Sequence, residues 1–319
     1  MKADLKFTLK QQWHKLLLPL AGALGKAGRR SRRVYDLLLF NRELELLETR
    51  LSYLDPIVDV FVIGESEQTF IGEAKPLWFA QNRERFKKYE KKIRHVIIPP
   101  PTPSDYTPTT RNLKTTEFYH RRMLRLGLED AADRDIVLLS DADEIPSRRS
   151  VEQLIGLMRM GYPSAIFHME WHLLYLNAVA VGYAGAAAGH PCEWLGTAGT
   201  TVANFKKLYA SDTNQLWKFR WDEMRKCIFW IAPAGWHFSF LGGLPRLAQK
   251  QRDNAELVRD PAENAALRQH VVAQVQFEFR AMAGLFPAEL QAHLGPLLAL
   301  AGSEEQFQAE LAQFDAGKI

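Results

Sequence analysis

Apolar positions in the first half of the chain fall into short runs, each followed by a stretch of helical spacing. Val34-Tyr35-Asp36-Leu37-Leu38-Leu39-Phe40 reads as a strand. Asn41 follows as a helix N-cap, with Glu43 and Glu45 in the first turn, where the helix dipole favours negative charge. Leu44, Leu47, Leu51 and Leu54 then recur at helical spacing, up to Asp55-Pro56, where a helix stops. Residues 58–64 form a second strand with Glu65 and Ser66 at its carboxyl end, and 76–92 a basic helix with a solvated face. A third strand, 93–98, is stopped by three prolines, and the Pro-, Thr- and Ser-rich stretch 99–110 is a loop. A helix over 112–128 leads to a fourth strand, 135–140. Its core, Ile136-Val137-Leu138-Leu139, does not alternate, the mark of a strand covered on both faces. This β-α-β succession predicts an α/β fold, a parallel sheet with crossover helices.

After Pro146 the pattern changes. Residues 165–171 and 227–231 read as strands of a mixed sheet, and the Gly- and Ala-rich stretch 182–199 between them as an irregular loop. From Leu244 the chain is rich in Ala, Gln and Glu, and Pro261, Pro287 and Pro296 divide it into several helices. The predicted organisation is a basic N-terminal extension (1–33), a catalytic-size domain (34–245) and a helical region (246–319) packed on it.

At 319 residues the chain can bury a full core. Its net charge of +4 is unevenly placed: residues 1–33 carry nine Lys or Arg against Asp4, which leaves the rest slightly acidic. That balance argues against a nucleic-acid partner. The apolar stretch Leu16–Leu24, flanked by Lys15 and Lys26, falls short of the roughly 20 apolar residues that span a bilayer. It reads as a solvated or amphipathic extension, or as a peripheral contact with anionic lipid. Arg29, Arg30, Arg32 and Arg33 follow it where a signal peptide would have small residues. Cys192 and Cys227 lack CxxC spacing, so they indicate neither a zinc site nor a disulfide framework and suit a reducing, cytoplasmic compartment.

The chemistry concentrates where the fourth strand ends, at Asp141-Ala142-Asp143-Glu144. Open α/β sheets bind ligands at the carboxyl ends of their strands. Two carboxylates two residues apart can share a hard divalent cation, and such a cation neutralises a diphosphate. Asp133-Arg134-Asp135 has the same spacing but precedes the strand, where it reads as a solvated turn. Glu144 alternates away from the pair and is read as a cap for the helix after Pro146.

Four blocks carry a family resemblance: Glu43–Leu51; Glu65-Ser66 through Thr69-Phe70, Gly72 and Lys75-Pro76-Leu77; Ser140–Pro146; and Gly235–Gly243. In this order they resemble glycosyltransferase family 17, a GT-A-type family. It includes β-1,4-mannosyl-glycoprotein β-1,4-N-acetylglucosaminyltransferases alongside bacterial relatives. The resemblance runs from about Tyr35 to Gly243 and leaves out the first 33 residues and the C-terminal helices.

It implies a GT-A-type, Rossmann-like fold: a mixed, mainly parallel sheet flanked by helices, with a helical C-terminal extension. It also implies inverting transfer of a sugar, N-acetylglucosamine by default, from a UDP-sugar to a glycan or glycolipid hydroxyl, with Mn2+ or Mg2+. By resemblance Asp141, Asp143 and His237 are the metal residues, although His237, between two aromatics, also reads as a core histidine. Asn41, Glu43 and Glu65 are nucleoside candidates, and Lys75 and Arg122 phosphate candidates. An inverting displacement needs a carboxylate to take the acceptor proton, and Glu193, Glu170 and Asp222 are the base candidates, Glu193 first. Two rival functions stay open here: a haloacid-dehalogenase-like phosphatase using the same Asp-x-Asp, and a carbohydrate-binding relative without turnover.

Overall fold

The computed structural model describes residues 16–69, 74–102, 113–183, 193–211, 229–253 and 275–316. Eleven strands among them form one mixed sheet. The parallel half holds β1 (Val34–Leu39), β2 (Val60–Ser66), β3 (Ile93–Ile98) and β4 (Ile136–Asp141) in the order β3-β2-β1-β4. Beyond β4 the sheet continues through β8 (Glu193–Thr201), β6 (Ser164–Leu173), β7 (Ala178–Tyr183) and β11 (Val275–Phe279), each antiparallel to the strand before it. Three short strands complete it. β9 (Phe229–Ile231) and β10 (Gly235–Ser239) run parallel to β6, and β5 (Glu144–Pro146) pairs antiparallel with β10.

Helices cover both faces, as the unbroken apolar strands require. On one face α2 (Leu44–Leu54) and α5 (Arg148–Arg159) bury Leu47, Leu51, Leu154 and Leu157 against Leu38, Ile63 and Leu138. On the other, α4 (Leu113–Met123) and α6 (Val202–Ser211) bury Tyr119, Met123 and Phe205 against Tyr35, Leu37 and Leu139. The alternation of Leu37 and Leu38 between these two cores is the period of two of a strand covered on both sides. The basic helix predicted over 76–92 is a single α-turn, α3 (Trp78–Gln81), followed by 3-10 winding over Arg83–Lys92.

Two expectations need correction and a third is narrowed. The stretch expected to be an irregular loop contains β8, which lies between β4 and β6. Its small residues suit that slot: a side chain at Gly199 would collide with Leu154, and one at Gly196 with Met169. Residues 184–192 are outside the described set. The C-terminal region is not purely helical, because β11 pairs with β7 and extends the sheet. Finally, of the two readings of residues 16–28, solvated or amphipathic, the structure has the amphipathic one. These residues form helix α1, which docks on α5 with backbones nearly touching. A Cβ at Gly25 would overlap the Glu152 carbonyl, and one at Gly156 the Ala21 carbonyl. No helix among the described residues is long and apolar enough to cross a membrane.

Candidate active site

The acidic turn sits at the carboxyl end of β4, between β1 and β8. Asp141 is half-buried, and its Oδ1 accepts a 2.5 Å bond from Arg121 Nη2 on α4. Arg121 is also bound to Glu117 Oε1 at 2.7 Å. Burial works against its charge, but Asp141 and Glu117 outweigh it and hold Arg121 protonated far beyond its usual range. Asp143 is buried, and its Oδ1 lies 3.5 Å from His237 Nε2 on β10. The Asp143 carbonyl accepts from Phe238 N at 2.8 Å, tying the turn to β10. The His237 ring is stacked at 4.1 Å on Trp194 and at 6.3 Å on Trp171. Ser239 Oγ lies 3.0 Å from His237 Nε2 and accepts from Trp171 Nε1 at 2.9 Å.

Glu144 does not cap the following helix; Ser147 does, its hydroxyl accepting from Ser150 N at 3.1 Å. Glu144 turns inward instead, as the strand partner of His237. It accepts from Trp194 Nε1 at 2.8 Å and from Asp141 N at 3.1 Å.

Sequence reasoning passed over the residue that holds this turn in place. Arg50 on α2 is fully buried and forms a two-pronged ion pair with the equally buried Asp36 of β1, at 2.6 and 2.7 Å. Its remaining nitrogen donates to the carbonyls of Asp141, at 3.2 Å, and Glu144. One signal was visible: Asp36 is a lone acid inside an apolar strand, and a buried charge demands a partner. Arg121 gave no such signal, since an arginine late in a helix reads as a solvated one.

Asn41, Glu43, Glu65 and Lys75 lie at or just after the carboxyl ends of β1 and β2, whereas Arg122 is on α4. Asn41 is not the N-cap of α2, because that helix begins at Leu44 with Glu43 in the cap position and no side-chain cap bond. Arg42 adopts φ 71° and turns the chain between them, its guanidinium stacked 4.9 Å from the Trp78 ring. Asn41 Oδ1 is therefore buried with no hydrogen-bond partner among the described residues, and the same is true of Trp78 Nε1 and Arg121 Nη1. Glu65 is turned away from a ligand role: its oxygens accept from Phe79 N (2.8 Å) and Ala80 N (3.2 Å), and one lies 2.9 Å from His95 Nε2. Lys75 stands close to His120, and burial together with the Lys75 charge lowers His120 to about 4. Arg122 stacks on Tyr119 at 5.8 Å.

Of the base candidates, Glu170 is not brought to the acidic turn. Glu170 is bonded to His172 Nε2 at 2.9 Å. Burial raises its pKa, but the imidazole outweighs that and holds it below the ordinary value. Glu170 alternates with Trp171 along β6 and so leaves the sheet on the face opposite the Trp171–His237 stack. Glu193 opens β8 as the backbone partner of Glu170, and Asp222 lies outside the described residues.

Among the described residues no three His, Cys, Asp or Glu side chains converge tightly enough to hold a metal by themselves. Asp143 and His237 do present a carboxylate and an imidazole side by side. Such a pair fits a cation whose other ligands come from a substrate's phosphates, the usual arrangement for Mg2+ and similar ions. Asp141 is instead committed to Arg121.

Comparison with known proteins gives the family. Residues 23–182, half of the chain, match the model of glycosyltransferase family 17. The β-1,4-mannosyl-glycoprotein 4-β-N-acetylglucosaminyltransferases of Rattus norvegicus and Homo sapiens are each 32% identical over 127 residues, covering 38% of this chain and 23% of theirs. The match thus spans less than a quarter of the length of these relatives. Similar solved structures include a mycobacterial protein (TM-score 0.37, 13% identity, 79% of this chain and 76% of that one). Another is the glucosyl-3-phosphoglycerate synthase of Mycobacterium tuberculosis (TM-score 0.33, 13% identity, 79% and 80%). On the family match, which takes in the acidic turn and the elements around it, the chain belongs to glycosyltransferase family 17.

Proposed function

We propose that this chain transfers a sugar, N-acetylglucosamine, from a UDP-sugar to a hydroxyl of a glycan or glycolipid acceptor, with inversion and with the help of a divalent cation. The observation that carries this reading is the convergence of Asp143 Oδ1 and His237 Nε2, 3.5 Å apart, at the carboxyl end of the central parallel strand. Mn2+ or Mg2+ held by these two groups would neutralise charge on the departing diphosphate. The protein's own groups then divide the remaining work. Arg50 fixes the turn through its two carbonyls, so the Asp143 carboxylate is oriented before the donor arrives. The unsatisfied Nη1 of Arg121 offers a hydrogen bond to a phosphate oxygen, with Lys75 and Arg122 adding positive charge. The unsatisfied Oδ1 of Asn41 suits the imide N–H of a uracil ring. Trp171 and Trp194 wall the histidine, and the half-buried Trp194 presents an apolar face on which a sugar ring can rest. The acceptor hydroxyl gives its proton to a carboxylate, for which Glu193 and Asp222 are the positions to test. Assembly of a surface polysaccharide or a lipid-linked glycan would use such a step.

The test is transfer from a panel of UDP-sugars in the presence of Mn2+, followed as release of UDP. The native chain should consume one UDP-sugar in preference to the others, and Asp143→Ala should lower turnover on the order of 10²–10³-fold, as loss of a preorganised charge-stabilising group does. If no UDP-sugar is consumed or raises the melting temperature, or if Asp143→Ala turns over normally, the reading fails. Hydrolysis of simple phosphate esters would restore the phosphatase. Glu193→Gln and Asp222→Asn, assayed together, identify the base as the position whose loss stops transfer while donor binding is kept.

A further inference from the structure

The charge that the sequence concentrates before β1 builds a basic pocket, at the opposite end of the sheet from the acidic turn. Arg33 immediately precedes β1, Asp59 immediately precedes β2 and Asp135 immediately precedes β4, so all three lie at the amino ends of the parallel strands. A strand of six residues puts that edge about 20 Å from the candidate active site. A cavity of about 590 Å³ opens there, lined by Arg29, Arg30, Arg32, Arg33 and Arg134.

Two carboxylates face these five guanidiniums, and both are already engaged. Asp135 accepts from the backbone N–H of Arg33 (3.0 Å) and of Ala132 (2.9 Å) and from Arg33 Nε (3.4 Å). Asp59 accepts from Val34 N (2.7 Å) and pairs with Arg29 Nη1 (2.9 Å). Arg33 is further held by Asp130. That leaves Arg30, Arg32 and Arg134 with no carboxylate in ion-pair contact among the described residues. Among the described residues Arg32 finds only the Arg134 carbonyl, at 3.1 Å, and Arg29 Nε is buried without a hydrogen bond. Burial, followed by the charges of Arg159 and Arg134, pushes the Arg32 pKa down. Uncompensated guanidiniums crowded around a cavity are stabilised by an anion, and their fork of donors matches phosphate oxygens.

We propose that this arginine-lined cavity is a phosphate-binding site, separate from the donor site and independent of the function proposed above. The phosphate can belong to a soluble phosphoester or to a lipid headgroup. The second source has a structural counterpart, because helix α1, which leads into the pocket, leaves Leu16 and Leu20 exposed at 73% and 52%.

The experiment titrates the full chain with pyrophosphate by calorimetry. In parallel, the chain is sedimented with vesicles of phosphatidylcholine alone or with a fraction of phosphatidylglycerol. Two variants are compared with the native chain: Arg30→Gln/Arg32→Gln/Arg134→Gln, and the milder Arg30→Glu/Arg134→Glu, both of whose positions are exposed. Thermal melts check that each variant is folded. Native protein should bind at least one probe, and the substitutions should weaken that binding on the order of tenfold or more. Pyrophosphate binding without vesicle binding assigns a soluble phosphoester, and the reverse assigns a lipid headgroup. The proposal is overturned if the native chain binds neither probe, or if folded variants bind as well as native.

Discussion

Arg50 is among the largest fully buried side chains, and its bonds to the Asp141 and Glu144 carbonyls hold the acidic turn against α2. Truncating either member of a buried pair strands the other charge, at a cost of about 3–5 kcal/mol. Arg50→Ala and Asp36→Ala should each lower the unfolding free energy by that order in urea denaturation. Replacing both with apolar residues, Arg50→Met with Asp36→Leu, should recover much of the stability, because a well-packed apolar pair often replaces a buried ion pair at little loss. It should not recover turnover, because the carbonyls of Asp141 and Glu144 still lose their donor. If the double variant regains kcat along with stability, Arg50 is only a packing residue. His120 allows a second prediction at this scale. Its pKa is depressed to about 4 by burial and by Lys75, so the folded chain takes up its proton later than the unfolded chain does. Its contribution is therefore complete above the unfolded value of about 6.5 and is lost as pH falls from there toward 4, about 3 kcal/mol in all. Stability measured against pH should show this acid limb, and His120→Phe should flatten it.

At the scale of elements, α1 and α5 offer a contrast between neighbouring glycines. Gly22 faces only Gln153 Cγ at 3.6 Å, whereas Gly25 faces the Glu152 backbone. Gly22→Ala should stabilise by about 0.5–1 kcal/mol through helix propensity. Gly25→Ala should destabilise by about 1–3 kcal/mol or more, because it forces the two helices apart. Equal and favourable effects at both sites would mean that α1 does not sit where the structure has it. The same helix shows why some elements were legible in the sequence and others were not. β1, β2, β3 and β4 are apolar runs bounded by turn residues, and α2 has leucines at helical spacing, so local pattern alone finds them. α1 reads as an extension because its buried face is Leu18, Ala21, Gly25 and Gly28, so a single leucine is all that marks it as a core-facing stripe. β8 reads as a loop for a related reason: only the walls formed by Met169 and Leu154 make glycine the fitting residue at 196 and 199. In the site, Asp141 and Asp143 were legible from their place after a buried strand. Arg121 and Trp194 are brought there by tertiary contacts across 20 and 50 residues of sequence, which no local pattern encodes.

Across the whole molecule, the C-terminal region is bound to the catalytic sheet rather than appended to it. Asn177, in the tight connection between β6 and β7, is the staple. Its Nδ2 donates to the carbonyls of Arg280 and Gly302, each at 3.1 Å, and its Oδ1 accepts from Gly302 N at 2.8 Å. On either side of it, Leu176 N donates to Leu300 O, and Arg280 N to the Asn177 carbonyl, both at 2.9 Å. Beneath these bonds Phe307 packs with Leu244, Leu247, Tyr175 and Val275 in one apolar cluster, so the final helix, Glu304–Asp315, shares its core with β6, β7 and the helix Gly243–Asp253. A region bound this way should unfold with the rest. Asn177→Ala removes three hydrogen bonds at a site that is only 8% exposed and leaves backbone groups unsatisfied, a loss of about 2–4 kcal/mol. In calorimetry that loss should appear as one transition moved down by several degrees, with calorimetric and van't Hoff enthalpies still in agreement. A C-terminal region that folds independently gives a different result: Asn177→Ala would split the melt into two transitions, the lower one belonging to residues 275–316, and sugar transfer would survive between them.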